Sequence, residues 1–103
     1  MVTMKKKKNL DKPFNFRLND KVVLVTGASR GIGYEVSKSF LMNGSNLIIC
    51  SKNLKKLRKS YLSLKKIKKK NQKIFYFKTD VSSETQIKKL IRFSILKFNK
   101  IDI

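Results

Sequence analysis

Val22-Val23-Leu24-Val25-Thr26-Gly27-Ala28-Ser29-Arg30-Gly31-Ile32-Gly33 is the stretch on which the reading of this chain turns. Its first four residues are apolar, β-branched for the most part and free of polar interruption, the pattern of a short strand buried on both faces of a parallel sheet. Three glycines follow within seven residues, and beyond them Ile32, Val36 and Phe40 recur every fourth residue with Leu41 beside them. That recurrence predicts an amphipathic helix, with Asn43-Gly44 as its stop. Leu47-Ile48-Ile49-Cys50 reads as a second buried strand. Strand, glycine turn, helix and strand make a βαβ unit.

The alternation continues downstream. A second helix is expected with Asn53 as N-cap and Leu54, Leu57, Tyr61 and Leu64 on one face, dissolving in Lys65-Lys66-Ile67-Lys68-Lys69-Lys70. Ile74-Phe75-Tyr76-Phe77 is the third strand and Thr79 to Glu84 the turn after it. A third helix runs from Glu84 to Phe98, capped by Ser82 or Ser83, with Ile87, Leu90, Ile91 and Ile95 inward. Ile101-Asp102-Ile103 begins a fourth strand. Regular alternation of strand and helix sets the fold class as α/β with a parallel sheet, and the chain stops in the middle of the pattern, at the fourth strand.

Residues 20–103 form this part of the domain, and 1–19 are a basic lead-in, expected to be flexible, that docks Phe14, Phe16 and Leu18. Lys5 to Lys8 have no apolar segment behind them, so the lead-in is not a secretory signal. Its basic, acid-poor composition also fits an organelle transit segment, a plastid one included.

At 103 residues the chain is one small domain, and a two-domain enzyme is excluded. Twenty-six Lys and Arg against six Asp and Glu give a net charge of +20, which by itself points to nucleic acid or an anionic surface. Twenty-two of those cations are lysines, however, and abundant Lys, Ile and Asn follow an A/T-rich coding bias. A phosphate or base reader leans on arginine for its bidentate fork. The adopted reading is a solvated lysine surface, with neither nucleic acid nor membrane as partner. A nucleic-acid-binding protein stays as the remote alternative, to be recognised by binding that weakens steeply with salt.

Cys50 is the single cysteine and histidine is absent, which excludes an internal disulfide, zinc sites and histidine-dependent catalysis. Apolar runs such as Leu47 to Cys50 fall far short of the roughly 18 residues that span a bilayer. A soluble protein of the cytoplasm is the default expectation.

A phosphate site needs backbone N–H groups aimed at one point, the positive end of a helix, and no Cβ atoms in the way. Gly27, Gly31 and Gly33 offer this between strand and helix. Their G-x-x-x-G-x-G spacing differs from the G-x-G-x-x-G dinucleotide fingerprint, and from the P-loop, which needs Lys and then Ser or Thr after its last glycine where this chain has Tyr34. The whole string Val25 to Gly33 resembles the cofactor motif of the short-chain dehydrogenase/reductase family. The resemblance extends from about Leu18 to Ile103: Asp80-Val81 is similar to the family's adenine-binding turn, and Lys97 to Ile103 looks like its approach to the fourth strand. Within the family the motif is closest to that of 3-oxoacyl-[acyl-carrier-protein] reductases, though many sugar, steroid and small-alcohol dehydrogenases share it.

The resemblance implies a Rossmann-type doubly wound parallel sheet, of which this chain carries the N-terminal half, and an oxidoreductase that moves hydride between a nicotinamide and a carbonyl or alcohol carbon of a small molecule, in a full-length form that is a homo-oligomer. It implies that Gly27, Gly31 and Gly33 shape the turn, that Ile32 gives a backbone N–H to the pyrophosphate, and that Ser29 and Arg30 lie beside the adenosine ribose. Asp80 would accept from the adenine amino group, with Val81 packed on the ring. An NAD enzyme places an acid after the second strand to accept from the ribose 2′-OH. This chain has Cys50-Ser51-Lys52-Asn53 there, and Arg30 with Lys52 puts two cations where a 2′-phosphate would sit, so NADP(H) is favoured over NAD(H).

The family's catalytic Ser, Tyr-x-x-x-Lys and Asn lie beyond a segment that would follow Ile103. No catalytic residue is therefore assigned, and the chain is expected to be inactive alone. Tyr61 and Lys65 fit Tyr-x-x-x-Lys only by coincidence, between the second and third strands. The alternative in another class is a truncated dinucleotide-binding product that catalyses nothing and leaves its central strand as an open edge.

Overall fold

Alternation of side chains along three strands decides which helix covers which face. In the computed structural model, which describes residues 18–103, β1 (Val22–Val25), β2 (Asn46–Ser51) and β3 (Ile74–Lys78) form a parallel sheet in the order β1-β2-β3. Val23 pairs with Leu47, and Leu47 in turn with Ile74. Successive residues of a strand point to opposite faces. Val23, Val25, Leu47, Ile49 and Ile74 thus share one face, closed by Leu41 of α1 (Gly31–Met42) and by Leu57 and Leu64 of α2 (Leu54–Lys65). Val22, Ile48 and Cys50 share the other face with Leu90 of α3 (Glu84–Phe98). With helices on both faces of a parallel sheet, this is the doubly wound α/β half-domain expected from the sequence. Phe14 and Phe16 of the lead-in lie outside the described residues; Leu18 is half-buried and its N–H donates to the Asn43 carbonyl at 3.1 Å.

The helix ends follow their local chemistry. Asn53 caps α2 by accepting from the Lys56 N–H, and Ser83, the second of the two candidate serines, caps α3 by accepting from the Gln86 N–H. Asn99 ends α3 in the left-handed region with its N–H on the Ile95 carbonyl. Buried Gln72 donates to the carbonyls of Leu41 and Ser45 and accepts from the Lys69 N–H, tying the turn before β3 to the end of α1.

Three inward faces differ from expectation. Ile32 is 84% exposed and Val36 also lies outward; α1 instead turns Gly33, Ser37 and Leu41 inward, with Phe40 at the edge of the core. The cause is close approach, since a Cβ on Gly33 would strike the Gly27 carbonyl, and a helix seated that near the turn has room inward only for small side chains. Ser37 fits because its hydroxyl donates back to the Gly33 carbonyl at 2.8 Å. On α2, Leu54 is exposed and Ser60 is buried in its place. On α3, Leu90 is buried as expected, but Ile87, Ile91 and Ile95 are exposed along a flank. The aromatic residues of β3 set that rotation: Phe77 stacks on Phe93 at 4.7 Å, and Phe75 meets the edges of Phe93 and Phe98 at 6.1 and 5.4 Å.

Ile101 to Ile103 do not form a counted strand, but they lie along the free edge of β1. The Leu24 N–H donates to the Ile103 carbonyl at 2.8 Å and the Ile103 N–H to the Val22 carbonyl at 3.2 Å. The chain therefore passes from β3 at one edge of the sheet to the far side of β1, where strand order reverses. Asp102 fastens this edge by accepting from the Val22 N–H at 2.8 Å and pairing with Lys100 at 3.0 Å. The Val22 N–H first, and Lys100 after it, hold its carboxyl below the ordinary range.

Two outcomes follow for unfolding experiments. Gly33→Ala is expected to lower stability by about 1–3 kcal/mol in urea titration, the usual range for overpacking a tight contact. Because the Asp102 pKa is depressed on folding, its contribution is present above the ordinary carboxylate pKa and is lost as pH falls through the folded value. Asp102→Asn should be less stable than the parent chain at neutral pH, and the two melting curves should converge at acid pH.

Candidate functional site

Parallel strands end on the same side, and here the carboxyl ends of all three open into one cleft. Gly27 follows β1, Ser51 and Lys52 follow β2, and Thr79, Asp80, Val81 and Ser82 follow β3, together lining about 410 Å³. Backbone bonds across the strand ends hold these segments in place. The Ala28 N–H donates to the Cys50 carbonyl at 3.1 Å and the Thr79 N–H to the Ser51 carbonyl at 2.9 Å.

The glycine turn continues from Gly27 beside that cleft. Gly27 and Gly31 have φ of 63° and 60°, a conformation that side-chain-bearing residues rarely take, and a Cβ at either would meet nothing within 4 Å. Ser29 presents its carbonyl to the Ser60 hydroxyl of α2 at 2.9 Å, which pins the turn. Arg30 precedes α1 with extended backbone and makes no capping bond through its side chain. The first amides of α1, on Gly31, Ile32 and Gly33, are thus left without a side-chain cap, whereas α2 and α3 are capped by Asn53 and Ser83. No acidic residue occupies the first turn of α1. Uncapped N–H groups and the positive end of the helix dipole favour a bound anion.

At the far side of the cleft, the Asp80 Oδ1 accepts from both the hydroxyl of Ser82 at 2.7 Å and its N–H at 3.0 Å. Those two bonds, with a further pull from Lys52, keep the carboxyl below its ordinary range. Oδ2 has no protein donor among the described residues. The Asp80 N–H is held by the Gln86 side chain at 2.8 Å. Lys52 is exposed, and the Ser51 hydroxyl accepts from the Asn53 N–H at 3.3 Å. Burial pushes the Cys50 thiol up, against a smaller opposing effect of Thr79 and Gly27, so it stays a protonated thiol at neutral pH.

Of the residues singled out from sequence, Gly27, Ser51, Lys52, Asp80 and Val81 share the cleft lining. Ser29, Arg30, Gly31, Ile32 and Gly33 form the turn and helix start that continue from Gly27, outside the lining itself. Thr79 and Ser82 were missed. The spacing Asp80-x-Ser82, which favours a side chain bonding two residues on, was the available signal for Ser82. Tyr61 lies elsewhere, its ring 4.7 Å from Tyr76 with the Lys65 ammonium 5.7 Å above it, so that pair is a packing contact of α2. A dinucleotide fits what is present: an uncapped helix start for a pyrophosphate, cations for phosphate, and a free carboxylate oxygen at the base end.

Comparison with known proteins agrees with this geometry. The profile of the short chain dehydrogenase family matches residues 21–103. A chloroplastic chlorophyll(ide) b reductase NOL of Oryza sativa subsp. japonica is 36% identical over 81 residues, 79% of this chain and 23% of that protein. An uncharacterised oxidoreductase of Listeria monocytogenes, Lmo0432, is 31% identical over 82% of this chain and 33% of its own length. The crystal structure of a hydroxysteroid dehydrogenase from Escherichia coli superimposes with a TM-score of 0.78 at 27% identity, over 85% of this chain and 35% of that one. The chain thus spans about a quarter to a third of the relatives it matches. Since the matched stretch takes in the turn and every residue of the cleft, the chain belongs to the short-chain dehydrogenase family.

Proposed function

We propose that this chain is the coenzyme-binding N-terminal part of an NADP(H)-dependent oxidoreductase acting on a small carbonyl or alcohol compound. The observation that carries the reading is an uncapped α1 N-terminus beside a β2 end that bears Lys52 and no carboxylate. The amides of Gly31, Ile32 and Gly33 bind the pyrophosphate, with Gly27 leaving room for it. Lys52 and Arg30 neutralise the 2′-phosphate, next to Ser29 and Ser51. Asp80 accepts from the adenine amino group through Oδ2, and its depressed pKa keeps it an acceptor throughout the neutral range. Exposed Val81 packs on the adenine ring. The bound nicotinamide supplies the hydride chemistry.

By the family resemblance the proton-transfer groups belong to a stretch that follows the coenzyme-binding part, so the role proposed for residues 18–103 is to bind and orient the coenzyme. The motif favours 3-oxoacyl-[acyl-carrier-protein] as substrate class; the rice relative supports reduction as the working direction and the plastid as an alternative to the cytoplasm.

Titrating the chain with NADPH and NADH, followed by calorimetry, tests the reading. A charge-assisted contact to the 2′-phosphate of about 1.5–3 kcal/mol makes NADPH tighter by about tenfold or more. Lys52→Glu is expected to abolish that preference and leave NADH binding near the parent value. Asp80→Ala should weaken both coenzymes alike, by about tenfold. Equal affinities in the parent chain would overturn the NADP(H) assignment, and a folded chain that binds neither would overturn the coenzyme site.

A further inference from the structure

Residues 58–73, from the middle of α2 through the turn to β3, contain eight cationic side chains and no carboxylate. Local neutralisation is absent as well: the two ion pairs among the described residues, Lys88–Glu84 and Lys100–Asp102, both lie on other elements. Tertiary structure adds two apolar residues to this surface. Leu62 on α2 is 51% exposed and Ile67 in the following turn 38% exposed. On a helix the surface neighbours of a residue are those three and four positions away, and for Leu62 these are Arg58, Lys59, Lys65 and Lys66, cations without exception. Ile67 stands between Lys66 and Lys68.

The turn is held in shape. The Ile67 N–H donates to the Leu64 carbonyl at 2.9 Å, the Lys69 N–H to buried Gln72 at 2.9 Å, and the Lys73 N–H to the Asn46 side chain at 2.8 Å. Because β2 and β3 are parallel, a turn that leads into the start of β3 lies at the opposite end of the sheet from Ser51 and the cleft.

We propose that, in place of the freely solvated lysine surface expected from sequence, the C-terminal end of α2 and the turn to β3 form a peripheral docking surface for an anionic lipid membrane, with Leu62 and Ile67 entering the headgroup layer among the lysines. Charge complementarity supplies the attraction, each basic side chain brought to an anionic bilayer raising partitioning by about fivefold. The apolar pair favours lipid over nucleic acid, because an interfacial site gains from buried apolar area as well as charge. A nucleic-acid surface calls for arginine forks or exposed aromatic rings, and this one carries a single arginine, with its tyrosine, Tyr61, half-buried on Tyr76. Docking in this way leaves the cleft facing away from the bilayer.

The test is co-sedimentation of the full chain with phosphatidylcholine vesicles and with vesicles that also contain phosphatidylglycerol, at several salt concentrations. Binding is expected to the second kind only. Reversing Lys65, Lys66, Lys69 and Lys70 to Glu together should lower it by about 100-fold or more, four charges at about fivefold each being ample. Leu62→Ser with Ile67→Ser should lower it by about tenfold, with circular dichroism unchanged. A control of equal charge away from that end of the sheet, reversing Lys78, Lys88, Lys89 and Arg92 to Glu, should lose far less. If the control loses as much as the patch variant, net charge alone drives adsorption and the proposal is overturned. It is likewise overturned if the double serine variant binds vesicles as the parent does, or if a DNA duplex competes fully and depends on the same lysines. Coenzyme titrations on the patch variant report on the cleft separately, so failure of one assignment is distinguishable from failure of the other.

Discussion

Contact between Gly33 and the Gly27 carbonyl is the constraint on which this structure rests. A helix that begins this close to the end of the preceding strand keeps its first amides beside the strand ends, within reach of a ligand lying across them. The same approach leaves Ala28 fully buried, with its N–H on the Cys50 carbonyl, and brings the turn under the Ser60 hydroxyl of α2. Core packing gives way to it: the inward face of α1 is built from a glycine, a serine and Leu41, while a large isoleucine stands in solvent. Packing density and ligand access are thus traded within one helix, and the trade favours access.

Electrostatics divides the molecule into two ends. At the cleft a few groups act singly: Lys52 lies near the Asp80 carboxylate, and Asp80 is itself committed to Ser82. At the other end of the sheet lysines accumulate with no carboxylate among them. A cation that must recognise one phosphate has to be placed, whereas cations that attract an extended anionic surface need only be numerous and on the same side. Of the carboxylates, Asp102 does structural work, joining the last residues of the chain to the edge of β1 through the Val22 N–H.

Legibility from sequence followed the range of the interaction concerned. Strand cores, the glycine turn and the cap Asn53 were all readable, since each depends on residues within one turn or one strand. The unbroken apolar run Val22, Val23, Leu24, Val25 already implied two covered faces, and helices on both sides bear that out. The rotation of α3 was not readable: its regular isoleucines announce an inward face, yet Phe93 and Phe98 take that place because Phe75 and Phe77, 16 to 23 residues away in sequence, offer them aromatic partners. Gln72 carried no pattern that announced it, and its three bonds join segments that come together only in the folded chain.

By itself, then, the sequence determined the fold class, the order of elements and the turn that offers backbone amides, because periodicity and glycine spacing are local properties of the chain. Only the tertiary structure decided that Ser51, Lys52, Asp80 and Val81 converge on Gly27, that Thr79 and Ser82 join them, and that Leu62 and Ile67 stay outside the core among lysines. The physical reason is that parallel pairing brings the ends of separate strands to one side, and helix rotation is set by which distant side chains interlock, neither of which is written in any single stretch of the chain.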